Sequence, residues 1–128
     1  MNKEEYFIKQ FSSNKIIGDD GAFIDGFVYS MDAFFENVHF KKEWMSLSQI
    51  AYKAMIVNIS DAIVMNAIPK FALLSVAIPK SYTNKDLKEL AKGFKKAAKE
   101  FGIRIIGGDT ISNEKLDISV TIISTTSN

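Results

Sequence analysis

The strongest constraint on the fold is an apolar strand enclosed by two helices whose starts are clearly marked. Residues 71–78 (FALLSVAI) form a nearly continuous apolar run, which is typical of a strand covered on both faces. Residues 46–49 (SLSQ) and 83–86 (TNKD) each have the form of a capping box, which marks the first turn of a helix. A helix, a strand and a second helix are therefore predicted in this order.

The first helix is predicted to reach about Ala67, because Pro69 cannot continue it. In the second helix the apolar residues recur at i, i+3 and i+4, and Gly102 stands where a helix commonly ends in a left-handed conformation. We interpret the lysines between these apolar residues as a solvated face. Residues 1–11 are interpreted as a short charged helix or arm.

Short strands are predicted on either side of these helices. Residues 27–31 (FVYSM) are rich in aromatic and branched side chains, and 22–24 are a candidate hairpin partner across the two-residue turn Asp25-Gly26. Residues 103–106 and the alternating 116–122 are predicted to follow as strands. The order predicts an α/β (α+β) sandwich, with a mixed, mostly antiparallel four-stranded sheet and helices on one face. The other face is too apolar to remain wet, so a second copy is expected to cover it.

Composition and missing motifs exclude several classes of protein. A formal net charge of +1 over 128 residues gives no overall basic character, so neither nucleic acid nor a membrane is expected as a partner. The absence of cysteine excludes disulfides and thiolate metal sites, and a cytoplasmic location is expected. The start of the chain has no signal-peptide core, and no window has the roughly 18 apolar residues of a membrane span. P-loop, GxGxxG and GxSxG motifs are absent.

Aspartates at turns and strand ends are the main candidates for chemistry. Asp19 and Asp20 precede the first strand, Asp32 follows residues 27–31, and Asp109 follows residues 105–108 (IIGG). Carboxylates in such places can converge above a sheet, and Mg²⁺ prefers carboxylate oxygens, water and substrate phosphates. The alternative is that each aspartate is an ordinary turn-forming residue.

Asp61 differs from the others because it lies within the first helix. At about 100° per residue, Asn58, Asp61 and Met65 fall on the apolar side, opposite Gln49. A carboxylate buried there needs a cation or a hydrogen-bonding partner, so Asp61 is either a site residue or a bridged core residue. His39 is the single histidine, which excludes multi-histidine metal sites; it is interpreted as structural, with a phosphate ligand or acid/base role as the alternative.

Four segments occur in a fixed order: IIGDDGA, YSMDAFFENVHF, KAMIVNISDAIVMNAIP and IIGGDT. Together they resemble the successive motifs of the thiamine-monophosphate kinase family, over residues 16–123. This family belongs to the superfamily of aminoimidazole-ribotide synthetase, selenophosphate synthetase and a hydrogenase maturation protein. The phrases NISD and VHF favour the thiamine-monophosphate branch over its sister enzymes.

The resemblance implies direct transfer of the γ-phosphoryl group of ATP to thiamine monophosphate, giving thiamine diphosphate, with several Mg²⁺ ions and no phospho-enzyme. It implies a homodimer whose sheets join into a barrel, with 1–128 as the ATP- and Mg²⁺-binding and dimerisation domain. Gly108 and Asp109 match an ATP-contacting turn, and His39 matches a position that contacts the thiamine substrate. The metal-binding positions of the family are matched by Asp20, Ser30, Asp32, Asp61 and Asp109.

The sequence also departs from the family pattern. Met31 stands where a metal-binding threonine is usual, Asn66 where glycine is usual, and Gly21 where alanine is usual. The family has a second domain after the last strand found here, so this chain is expected to be a fragment with weak or no activity alone. Two alternatives stay open: another ATP-dependent enzyme of the same superfamily, and a non-catalytic dimerisation module.

Overall fold

A computed structural model describes residues 2–11 and 22–126 of the chain. A short 3-10 turn, Lys42–Trp44, lies among the helices and strands. The helices are α1 (Lys3–Lys9), α2 (Leu47–Val64) and α3 (Asn84–Phe101), and the strands are β1 (Ala22–Ile24), β2 (Phe27–Phe35), β3 (Ala67–Pro79), β4 (Arg104–Asn113) and β5 (Asp117–Thr126). Within these residues no helix is both long and apolar enough to cross a membrane.

The strands form one mixed sheet in the order β1-β2-β5-β3-β4. The β3–β4 pair is parallel, and the β1–β2, β2–β5 and β3–β5 pairs are antiparallel. The sheet therefore has five strands, and the prediction of four was wrong because the short candidate hairpin partner is itself a paired strand. The two-residue turn is confirmed, since Asp25 and Gly26 both have positive φ angles, of 54° and 83°.

Both capping boxes are confirmed. The Ser46 and Thr83 hydroxyls accept the amide N–H groups of Gln49 and Asp86, whose side chains in turn accept the N–H groups of Ser46 and Thr83. Gly102 ends α3 in the left-handed conformation, as expected.

The first helix ends earlier than the sequence suggested. α2 stops at Val64, and Asn66 takes a φ angle of 58°, so the chain reverses at once into β3. Asparagine tolerates this left-handed conformation better than most residues other than glycine, which explains how it stands where the family usually has glycine. Pro69 lies inside β3, at a register irregularity between Pro69 and Phe71.

The hydrophobic core lies between the sheet and α2, with α3 packed on α2. Ile50, Met55 and Ile59 of α2 are fully buried, as are Ile118 and Ile122 of β5. Helix α2, with α3 packed on it, thus covers one face of the sheet, which we call the helix face. On the other, the open face, apolar side chains are exposed: Phe27 (36%), Met31 (70%), Leu73 (36%) and Ile111 (61%).

Candidate functional site

Strand β2 places two of the candidate metal ligands on the helix face. Ser30 and Asp32 share the orientation of the buried Val28 and Phe34, because alternate residues of a strand point the same way. The Ser30 hydroxyl oxygen is buried and has no hydrogen-bond partner among the described residues. Asp32 is half-buried, and its Oδ1 accepts the Ala33 N–H at 3.0 Å. Two side chains whose oxygen atoms could bind a metal ion therefore lie two residues apart on the helix face.

Helix α2 places Asp61 differently from the sequence-based expectation. Asn58 is buried at 2% exposure and donates from Nδ2 to the Ala54 carbonyl at 3.1 Å, whereas Asp61 is exposed. The expectation that Asp61 is buried on the apolar side was wrong, because only one side of the last turn of α2 is covered: Ala62 is fully buried there, whereas Asp61 is exposed. Ile63 and Val64 are also exposed there, at 51% and 81%. Burial therefore does not force a cation onto Asp61, and its role rests on the family resemblance.

Strand β4 carries Gly108 and Asp109 at the edge of the sheet. Asp109 is paired in register with Ser75 and therefore points to the open face, while Gly108 is paired with Leu74. The Gly108 backbone approaches β3 so closely that a Cβ atom there would lie 1.7 Å from the Leu74 carbonyl oxygen. A shallow pocket of about 320 Å³ lies along residues 107–110, beside Leu74 and Val76.

The structure brings only part of the candidate metal set together. Ser30 and Asp32 are neighbours on the helix face, but Asp109 lies on the open face, three strands away in the sheet order. At the usual strand spacing this separates Asp32 from Asp109 by about 14 Å. Asp19 and Asp20 lie outside the described residues. Within the described parts of the chain no three acidic or histidine side chains form a group that could hold a metal ion.

His39 lies in a tight turn after β2 and is held in a defined orientation. Its Nδ1 accepts the Phe35 N–H at 2.9 Å, and its own backbone N–H donates to the Phe35 carbonyl at 2.8 Å. The ring stacks on Phe34, with centroids 6.0 Å apart, and Phe34 in turn stacks on Phe40 at 5.0 Å. The sequence alone assigns the phenylalanines to the core or an interface, with no chemistry. Phe34 and Phe40 are indeed buried, and they also support this histidine, which no local motif indicates.

The hydrogen bond to His39 predicts its tautomer. Because Nδ1 accepts a hydrogen bond from a backbone amide, the neutral ring should carry its proton on Nε2 and present a hydrogen-bond donor there. As His39 is the only histidine, ¹⁵N–¹H correlation spectra of the labelled chain should show a single imidazole with a pyridine-type Nδ1 and a pyrrole-type Nε2. A reversed assignment, or signals averaged between the two tautomers, would contradict this geometry.

A family model identifies the class of protein to which this sheet and the β2 and β4 residues belong. The chain belongs to the AIR synthase related protein, N-terminal domain family, whose model matches residues 18–126.

Within that class, several similar relatives are thiamine-monophosphate kinases. The chain is 41% identical over 113 residues to the thiamine-monophosphate kinase of Bacillus subtilis, covering 84% of this chain and 35% of that protein. It is 37% identical over 123 residues to the thiamine-monophosphate kinase of Rhodopirellula baltica, covering 86% of this chain and 39% of that protein. The chain thus spans between a third and two fifths of these proteins. These similarities confirm the family resemblance of the four sequence segments.

The fold agrees with solved structures of thiamine-monophosphate kinases. The crystal structure of thiamine monophosphate kinase from Aquifex aeolicus has a TM-score of 0.86 at 28% identity, covering all of this chain and 45% of that one. A structure of AaThiL complexed with AMPPCP and TMP has a TM-score of 0.85 at 28% identity, covering 97% of this chain and 43% of that one.

Proposed function

We propose that this chain is the ATP- and Mg²⁺-binding and dimerisation domain of an enzyme that phosphorylates thiamine monophosphate to thiamine diphosphate. The observation that carries the proposal is 41% identity to a thiamine-monophosphate kinase over 84% of the chain. The AaThiL complex with AMPPCP and TMP supports a site for an ATP analogue and thiamine monophosphate in a protein of the same fold.

The donor set fits Mg²⁺ in its chemistry. The buried Ser30 hydroxyl, which lacks a partner among the described residues, and the half-buried Asp32 carboxylate are hard oxygen ligands. We assign them to one ion, with Asp20 and Asp61 as further ligands. Asp109 faces the other side of the sheet, so we assign it, with Gly108, to the nucleotide and to a separate ion.

The proposed reaction needs positioning more than acid/base catalysis. A phosphate oxygen of thiamine monophosphate attacks the γ-phosphorus of ATP, the bond to the β–γ bridging oxygen breaks, and ADP leaves. The attacking oxygen is largely deprotonated near neutral pH, so a strong general base is not needed. Bound Mg²⁺ supplies charge neutralisation between the two anions. His39, with its ring orientation fixed, is assigned to the thiamine substrate as a hydrogen-bond donor through Nε2.

A second copy of the chain is proposed to cover the open face. Met31 is 70% exposed there and shares a cross-strand row with Thr121 and Leu73. Contiguous exposed apolar side chains commonly mark an interface. Met31 also points away from Asp32, so its presence in place of the usual threonine removes a hydroxyl from the open face and leaves the helix-face oxygens unchanged. This apolar addition favours the dimerisation module as a second candidate function.

Calorimetric titration of AMPPCP separates the two functions. The chain should bind AMPPCP with Mg²⁺ and lose binding in EDTA, and Asp32→Asn should weaken the Mg²⁺-dependent affinity by about tenfold or more, a loss of about 1.4 kcal/mol. The matched control is Asp25→Asn, which removes the same charge from an exposed turn where asparagine also tolerates the positive φ. Equal binding with and without Mg²⁺, or no binding at all, would refute the metal–nucleotide site and leave the dimerisation module.

A further inference from the structure

Helix α3 carries a row of lysines with a single orientation. Lys85, Lys88, Lys92, Lys95, Lys96 and Lys99, which we call the lysine ridge, are all exposed. At about 100° per residue these six side chains fall within an arc of about 100°. The arc is centred opposite the buried residues Leu90, Phe94 and Ala97. The ridge extends over about 21 Å of helix, at 1.5 Å per residue.

The acidic residues of α3 lie outside this arc. Glu89 and Glu100 are on its flank, and Asp86 forms part of the capping box. The Glu100 carboxylate accepts the Tyr52 hydroxyl of α2 at 2.5 Å, a bond that raises the pKa of Tyr52, so Glu100 is directed toward α2. The overall net charge of +1 therefore conceals a strongly basic strip on α3. The net charge of the whole chain gives no ground for excluding an anionic surface as a binding partner of this strip.

An exposed tryptophan adjoins the ridge. Trp44 is 71% exposed, and the Lys41 Nζ lies 5.2 Å from the centre of its ring. Trp44, Met45, Tyr52 and Lys96 line one open groove of about 500 Å³ between the 3-10 turn, α2 and α3. Tryptophan favours the boundary between lipid headgroups and acyl chains, where its ring is apolar and its N–H can still bind a polar group.

We propose that the lysine ridge and Trp44 form a peripheral docking surface for an anionic phospholipid membrane. About four to eight basic residues on one face of an amphipathic helix suit anionic headgroups, and the ridge has six in a straight convex row. The absence of arginine from the ridge disfavours the fork-shaped phosphate contacts typical of nucleic-acid sites. This surface is separate from Ser30, Asp32 and Asp109, so its failure leaves the proposed phosphotransfer unaffected.

Vesicle co-sedimentation of the 128-residue chain tests the surface. We expect the chain to sediment with vesicles of equal parts phosphatidylglycerol and phosphatidylcholine, and to remain in solution with phosphatidylcholine alone. The variant K88Q/K92Q/K95Q/K99Q should bind these vesicles at least about tenfold more weakly than the parent chain. The control K3Q/K70Q/K80Q/K115Q lowers the net charge equally at exposed positions off the ridge and should keep most of its binding. Glutamine has a helix propensity close to that of lysine, so α3 should be retained.

Trp44 gives a second readout because it is the only tryptophan. Its fluorescence should shift to shorter wavelength on binding phosphatidylglycerol vesicles, as the exposed ring leaves water. The proposal is overturned if sedimentation does not depend on phosphatidylglycerol, or if the two four-lysine variants lose binding equally. It is also overturned if mixed-sequence duplex DNA displaces the vesicles and binds with unchanged Trp44 emission, which would make the ridge a nucleic-acid surface.

Discussion

Replacing Gly93 by alanine is expected to destabilise the protein by about 2 kcal/mol and to lower Tm by about 6–10 °C. At Gly93, α3 packs closely against α2: an added Cβ atom would lie 2.1 Å from the Ser48 carbonyl oxygen and 2.9 Å from the Ala51 Cβ. The Ser48 carbonyl belongs to the backbone of α2 and cannot move aside as a flexible side chain could. The two helices would have to separate, which loosens the packing of Phe94 and Ala97.

The helix propensity of alanine acts in the opposite direction and needs its own measurement. Alanine is favoured over glycine by about 1 kcal/mol in a helix interior, so Gly93→Ala would stabilise α3 if the site were open. The pair Lys95→Gly and Lys95→Ala, at an exposed position of the same helix, measures this gain directly. Urea denaturation gives the free energy of unfolding of the parent and of all three variants. The cost of the clash is the glycine-to-alanine gain at position 95 minus the change that Gly93→Ala produces. A Gly93→Ala variant as stable as the parent would contradict the close helix contact.

Local signals in the sequence predicted most of the elements, because each depends on a few neighbouring residues. The Asp25-Gly26 turn needs two residues that tolerate positive φ, and the capping boxes need hydroxyl groups at Ser46 and Thr83. Gly102 likewise ends α3 through its own conformation. These features require no knowledge of the tertiary structure, and all were confirmed.

The failed predictions depended on how the elements pack. The angular position of Asp61 on α2 was calculated correctly, but its burial depends on which side of the last turn is covered, and only the packing of α2 on the sheet determines that. The number of strands depended on whether three residues, Ala22–Ile24, find a partner. Asp32 and Asp109 point to opposite faces of the sheet because of the register in which their strands pair. Shifting either strand by one residue would move its aspartate to the other face. Motif spacing carries none of this information.

Replacing Gly108 by alanine is expected to have the largest effect on nucleotide binding, with Mg²⁺-dependent AMPPCP affinity reduced by about 30-fold, equivalent to about 2 kcal/mol. The alanine Cβ cannot fit 1.7 Å from the Leu74 carbonyl oxygen, so β4 must move away from β3. The displacement would carry Gly108 and Asp109 out of the positions assigned to the nucleotide. Amide hydrogen exchange along β4 should accelerate in the same variant, because β4 is an edge strand that pairs only with β3 in the described sheet.

Gly107→Ala separates the effect of the close approach from that of backbone strain. Both glycines have φ angles near +150°, so alanine is strained at either position, but a Cβ at Gly107 meets only the flexible Leu73 Cδ2, at 3.7 Å. Gly107→Ala should therefore reduce AMPPCP affinity and β4 protection much less than Gly108→Ala. If both variants lost affinity equally, backbone strain would explain the loss and the β3–β4 contact would have no special role. If Gly108→Ala accelerated exchange in β4 without weakening AMPPCP binding, the nucleotide would bind elsewhere on the chain, and the assignment of Gly108 and Asp109 would be wrong.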